Sequence, residues 1–287
     1  MKRKAFAFAV IIMALAAAPT FSQGLFSTEF VVSIPNEGRM IPATVCLPSG
    51  QPGETFPAVV MLHGTGSNRD EVSRAYKMLA PYLAQSGIAS IRFDFAGQGD
   101  SKADYIEYCY SSGASDAAAC ARFLDNLKAV DSARIGIMGW SQGGAVAIHA
   151  AVHYPVFKAL LTWAGALDMF DFLSSQYEEA KVKGFVKMNL GWRPPLNLSL
   201  QWFEEARSIS LRDELKTFTG PVLAIAGSAD TTVPLSDLDD IVANAGGTDK
   251  GKVLIDGADH TFWLFTGDYS KFNELKAVTA NWFKSRL

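Results

Sequence analysis

Apolar and polar positions follow two alternating rhythms along most of this chain. Thr28–Ile34 and Met40–Leu47 are β-rich runs that read as a hairpin of two strands around Pro35–Arg39. Pro57–Leu62 is almost continuously apolar, as expected of a parallel strand covered on both faces. Ile88–Phe93, Arg134–Met138, Ala159–Trp163, Pro221–Ala226 and Lys252–Ile255 are runs of the same kind. Between them, Asp70–Gln85, Asp116–Val130, Gln142–His153, Ser236–Asn244 and Tyr269–Lys284 carry apolar residues at helical spacing. This alternation predicts an α/β fold, a mostly parallel eight-stranded sheet with helices on both faces.

One interval breaks the rhythm. Between Gly165 and Lys216 there is no strand–helix pair of regular length. The segment is instead rich in rings (Phe170, Phe172, Tyr177, Phe185, Trp192, Trp202, Phe203) and contains Pro194–Pro195. An insertion at about residues 166–207, after the sixth strand, is placed to cap the carboxyl edge of the sheet, where ligands bind in open α/β folds. Most of these rings are expected to close the cap's own small core. Trp192 and Trp202 are the candidates for substrate contact.

The N-terminus is different in kind. Lys2, Arg3 and Lys4 precede an uncharged apolar stretch, Ala5–Ala18, and then Pro19, Thr20, Phe21, Ser22 and Gln23. A basic start, a short apolar segment and small residues before a polar one describe a secretory signal peptide over residues 1–22, cut after Ser22. The stretch is short of the roughly 20 residues a membrane span needs, so no stable membrane partner is expected. The bland alternative is an uncleaved N-terminal anchor. Export to the periplasm or beyond is the expectation.

The remaining residues, 23–287, fit one large α/β domain, long enough to bury a sizeable core. The formal charge of −3 leaves no basic footprint for nucleic acid. Removing the three basic residues of the leader leaves 23 basic against 29 acidic residues. In an oxidising compartment three cysteines allow one pair. Cys46 sits in a strand-like run and reads as a small buried residue, whereas Cys109 and Cys120, in a loop and the following helix, could be bridged. No cysteine has a metal-ligand spacing, and no metal site is expected.

Gly139-Trp140-Ser141-Gln142-Gly143 lies between the strand Arg134–Met138 and the helical run Gln142–His153. A serine on a strained strand-to-helix turn needs such flanking glycines, and there it can act as a nucleophile. Its hydroxyl then requires a base. Of the four histidines, His63 ends the third strand. His149 and His153 lie two and three turns along the helix from Ser141, more than about 10 Å away at 1.5 Å per residue. His260, in the loop after the last strand, is the one that topology brings beside Ser141. Asp230 follows the strand Pro221–Ala226 in a short loop stiffened by Pro234, and it falls between nucleophile and base in the order Ser, acid, His. Asp256 and Asp259 compete but suit turn and capping roles, and Asp168 and Asp171 are less well placed. For the oxyanion, the backbone N–H of Gln142 is one expected donor. The glycine-rich loop His63–Asn68 supplies the other, through Thr65 first and Gly66 second, unless it is a plain turn.

From about Ile41 onward the chain resembles the α/β-hydrolase superfamily. The resemblance rests on His63-Gly64-Thr65-Gly66, Asp94–Ser101, Gly139–Gly143, Asp230–Pro234 and Gly257-Ala258-Asp259-His260 in that order. The Gly-x-Ser-Gln-Gly-Gly elbow and the insertion after the sixth strand are similar to bacterial cinnamoyl or feruloyl esterases. Dienelactone hydrolases differ, with cysteine where this chain has Ser141. The resemblance implies a serine hydrolase cleaving small-molecule carboxylic esters of aromatic or short acyl groups through an acyl-enzyme, with no cofactor. A lipase-like enzyme or a peptidase with the same triad, or a catalytically silent binding domain, stays open.

Overall fold

A computed structural model describes residues 27–287, so the expected leader, residues 1–22, lies outside the described residues. Strands β1 (Ser27–Asn36) and β2 (Arg39–Pro48) pair antiparallel with Asn36 opposite Arg39. Glu37 and Gly38 alone make the turn, both with positive φ (46° and 78°), the geometry that lets a two-residue loop follow strand twist. The chain continues through β3 (Phe56–Leu62), α1 (Ala75–Gln85), β4 (Ala89–Phe93), α2 (Tyr110–Asp125), β5 (Val130–Trp140), α3 (Gln142–His153) and β6 (Phe157–Trp163).

There the insertion begins. It holds α4 (Met169–Leu173), α5 (Tyr177–Lys183), a small hairpin of β7 (Phe185–Met188) and β8 (Leu196–Ser199), and α6 (Leu200–Ser208). Helix α7 (Leu211–Leu215) leads back to the sheet through β9 (Val222–Gly227), α8 (Leu235–Asn244), β10 (Lys250–Ile255) and α9 (Ser270–Arg286).

The strand order is β1-β2-β4-β3-β5-β6-β9-β10. Within this eight-stranded sheet only the β1–β2 and β2–β4 pairings are antiparallel. This is the α/β-hydrolase fold. Every residue of β3 is buried, because the sheet is covered twice. Ala58, Val60 and Leu62 face one core and Val59 and Met61 the other, as side chains alternate across a strand.

Two helices differ from the sequence reading. Helix α2 starts at Tyr110, ahead of the expected Asp116. The Ser112 hydroxyl accepts the Cys109 N–H at 2.9 Å and caps the helix there. Gly113 then packs so closely that an added Cβ would lie 3.0 Å from Val146 and 3.1 Å from Phe95. Helix α1 starts late, at Ala75, because Glu71, Ser73 and Arg74 all take positive φ.

The possible Cys109–Cys120 bridge is not formed, and all three cysteines are buried free thiols. Cys109 caps α2 and Cys120 lies within it, about 16 Å further along the axis. A disulfide tolerates a Cα separation of at most about 7 Å.

Candidate active site

Ser141 stands between β5 and α3 with φ 54° and ψ −122°, a conformation costly for a residue with a side chain. The elbow is held on both sides. The Ser141 N–H donates to the Trp163 carbonyl at 2.8 Å, and its carbonyl accepts from Gly144 at 2.9 Å and Ala166 at 3.2 Å. A Cβ at Gly139 would run into the Gly143 backbone, and one at Gly143 into the carbonyls of Leu62 and His63. The glycines are therefore required by close backbone approach.

Asp230 follows β9 and His260 follows β10, at the same carboxyl edge of the sheet. The His260 Nδ1 lies 2.8 Å from the buried Asp230 Oδ2. The other carboxylate oxygen accepts the N–H groups of Thr232 (2.7 Å) and Val233 (3.0 Å). Burial works to raise the Asp230 pKa, but His260 and these two N–H donors outweigh it and hold the carboxyl below its ordinary value. An ionised Asp230 can only accept, so Nδ1 carries the proton and Nε2 is left as the basic atom. The His260 ring lies 6.3 Å from that of Trp140, the residue before Ser141. Asp259 serves its own loop: one oxygen accepts from the Thr261 N–H and hydroxyl and the Trp263 N–H. Asp256 accepts from Ser228 at 3.3 Å. Neither competitor is paired with His260.

The loops after β3 and β5 meet through side chains. The Thr65 hydroxyl donates to the Gln142 Oε1 at 2.7 Å. Gln142 is the first residue of α3, so its N–H has no intrahelical acceptor, and the Thr65 N–H has none among the described residues. The Gly64 N–H is committed instead to the Glu71 Oε1 at 2.7 Å.

Glu71 was not legible as a site residue. It is buried, with φ 66° and ψ 177°, a region occupied almost only by glycine. Burial drives its pKa up to about 7, against its hydrogen bonds to Ser67 and to the Gly64 and Val72 N–H groups and the charge of His260. At Gly64, an added Cβ would lie 3.1 Å from the Glu71 carboxylate and 3.5 Å from the Ser141 Cβ. A titratable carboxyl thus sits directly behind the loop that faces the nucleophile.

His63 is a latch. Its Nε2 accepts the Phe95 N–H at 3.2 Å, leaving Nδ1 to donate to the Gly64 carbonyl at 2.9 Å. Burial lowers its pKa to about 4, so it stays neutral at physiological pH. The Asp94–Ser101 stretch closes around Arg69: Asp94 accepts the Arg69 and Asp100 N–H groups at 2.7 and 2.9 Å and also pairs with the Arg69 guanidinium.

The insertion reaches the same edge. Arg193, between β7 and β8, donates to the Gly66 carbonyl at 2.8 Å and to the Gln98 side chain, and Leu190 fills the space beside Gly66. The two tryptophans separate. Trp192 is 72 % exposed. Trp202 is fully buried, its ring edge-on to Phe203 at 5.1 Å and Tyr110 at 6.4 Å. In this structure no face of Trp202 is open to a substrate, so it packs the core of the insertion.

A profile of the prolyl oligopeptidase family matches residues 74–287. A 2,6-dihydropseudooxynicotine hydrolase of Paenarthrobacter nicotinovorans is 29 % identical over 235 residues, 79 % of this chain and 56 % of that protein. A putative carboxymethylenebutenolidase of Methylorubrum extorquens is 30 % identical over 179 residues, 56 % of this chain and 57 % of that protein. The chain therefore spans little more than half the length of these two relatives. Among solved structures, Est1E of Butyrivibrio proteoclasticus, with ferulic acid bound, superposes with a TM-score of 0.70 at 20 % identity, covering 89 % of this chain and 98 % of that one. At that identity the likeness speaks to the fold.

Proposed function

The chain belongs to the prolyl oligopeptidase family of α/β-hydrolases, and from that premise we propose that it is a serine esterase working through an acyl-enzyme. The observation that carries the proposal is the 2.8 Å Asp230–His260 pair at the sheet edge where Ser141 is held in its strained turn. In the first step the Ser141 Oγ attacks the ester carbonyl while the His260 Nε2 takes its proton. His260 then protonates the leaving alcohol, and water, deprotonated by the same nitrogen, hydrolyses the acyl-enzyme. The N–H groups of Gln142 and Thr65 receive the negative charge that develops on the carbonyl oxygen.

The exposed Trp192, and the ferulic acid bound to Est1E, favour an acyl group with an aromatic body. The family's description favours the second reading, a peptidase using the same residues. Export belongs to the proposal through Lys2–Ser22. The discriminating experiment is fluorophosphonate labelling of Ser141 beside a panel of acetate esters, hydroxycinnamate esters and peptide amides. Labelling with ester turnover supports the proposal. Turnover of amides alone would favour the peptidase, and an unlabelled Ser141 a silent binding domain.

A further inference from the structure

His149 and His153 stand one helical turn apart on α3, so both imidazoles leave the same face. Facing them is Glu214, on α7. The His149 Nδ1 lies 3.0 Å from each Glu214 carboxylate oxygen, and the His153 Nε2 lies 2.9 Å from Oε1. All three ligand atoms fall within 4.8 Å of one another. Around a tetrahedral ion with bonds of about 2.0–2.1 Å, neighbouring ligand atoms are about 3.3 Å apart. The contacts to Glu214 are within a few tenths of an ångström of that spacing, and drawing the two imidazole nitrogens to the same separation would admit an ion.

The charge points the same way. Glu214 is only 18 % exposed, and its ion-pair partners among the described residues are these two histidines, with no lysine or arginine. His149 is buried, while the His153 side chain is 51 % exposed. Water can therefore complete the fourth position, and an ion has a way in.

The geometry points to a divalent-cation site of the zinc type, formed by His149, His153 and Glu214 and independent of the proposed reaction. An ion held there ties α3, which begins at the nucleophile, to α7, which leads into β9 and Asp230.

The test uses Zn(II) alone with the chelator-washed full chain. Calorimetry is expected to show one saturable zinc per chain. At a hundredfold excess over the dissociation constant, Tm should rise by about 5 °C or more. His153→Ala, a surface change, and Glu214→Gln should each weaken zinc binding by a factor on the order of 100 and cut the Tm rise at the same zinc concentration to about 1 °C. Their zinc-free melting curves show whether they fold. His260→Ala should bind zinc as the wild type does, which separates this site from the Asp230–His260 pair. Absence of saturable zinc uptake, or uptake unchanged in both His153→Ala and Glu214→Gln, overturns the assignment.

Discussion

The Thr65 hydroxyl is hydrogen-bonded to the Gln142 side chain at 2.7 Å. The two residues whose backbone N–H groups are proposed to receive the oxyanion are thus latched to each other across two loops. Because their alignment matters most when charge develops, loss of the latch should act on the transition state more than on substrate binding. Thr65→Val should lower kcat by about tenfold, the worth of one neutral hydrogen bond, with KM little changed. Steady-state kinetics on a small acetate ester checks this. A pure KM effect would detach the latch from catalysis.

For the triad, Ser141→Ala and His260→Ala should each lower kcat on the order of 10⁶-fold. Asp230→Asn should lower it less, on the order of 10⁴-fold, since the orienting acid alone is the milder loss. A wild-type rate in Ser141→Ala would refute the assignment.

Glu71 predicts a pH dependence of stability. Its folded pKa of about 7 lies above its ordinary value of 4.5, so between these pH values the folded chain binds more protons than the unfolded one. This contribution is fully present below about pH 4.5 and is lost as pH rises through about 7, a change of about 3 kcal/mol by linkage. Glu71→Gln carries no such charge. Between pH 5 and pH 8 the wild type should lose several degrees of Tm relative to Glu71→Gln. Parallel pH profiles of Tm would show that the Glu71 carboxyl is not held neutral.

The two tryptophans of the insertion should respond oppositely. Trp202→Leu leaves a cavity in a fully buried site and should cost about 2–4 kcal/mol, with activity falling alike on large and small esters as the folded fraction falls. Trp192→Leu should leave Tm unchanged and raise KM for hydroxycinnamate esters more than for acetates. Thermal melts beside kinetics on both ester classes separate the two. Equal kinetics for Trp192→Leu on both classes would remove it from acyl recognition.

Export predicts a mature chain beginning near Gln23. N-terminal sequencing of protein recovered from its native host decides it, and a membrane-held chain retaining Met1 would favour the anchor.

The sequence by itself determined the eight strands, the sheet they form and the order of Ser141, Asp230 and His260 along it. Those features are written in local pattern: continuous apolar runs for strands covered twice, helical spacing between them, and glycines where backbones touch at Gly139 and Gly143. It also put His149 and His153 on the helix that follows Ser141, which is where α3 carries them. Contacts between residues distant in the chain were decided only by the tertiary structure. Trp192 and Trp202 look alike as letters, yet one is exposed and the other buried, because Trp192 lies in the loop between β7 and β8 and Trp202 on α6 is packed against Phe203 and Tyr110. Glu71 looked like part of a helix. Its placement behind Gly64 requires a positive φ that no periodicity announces, and its raised pKa comes from a burial that only the folded chain creates. The Glu214 carboxylate comes from another helix, 61 residues beyond His153. A convergence across that separation is a property of packing, not of spacing.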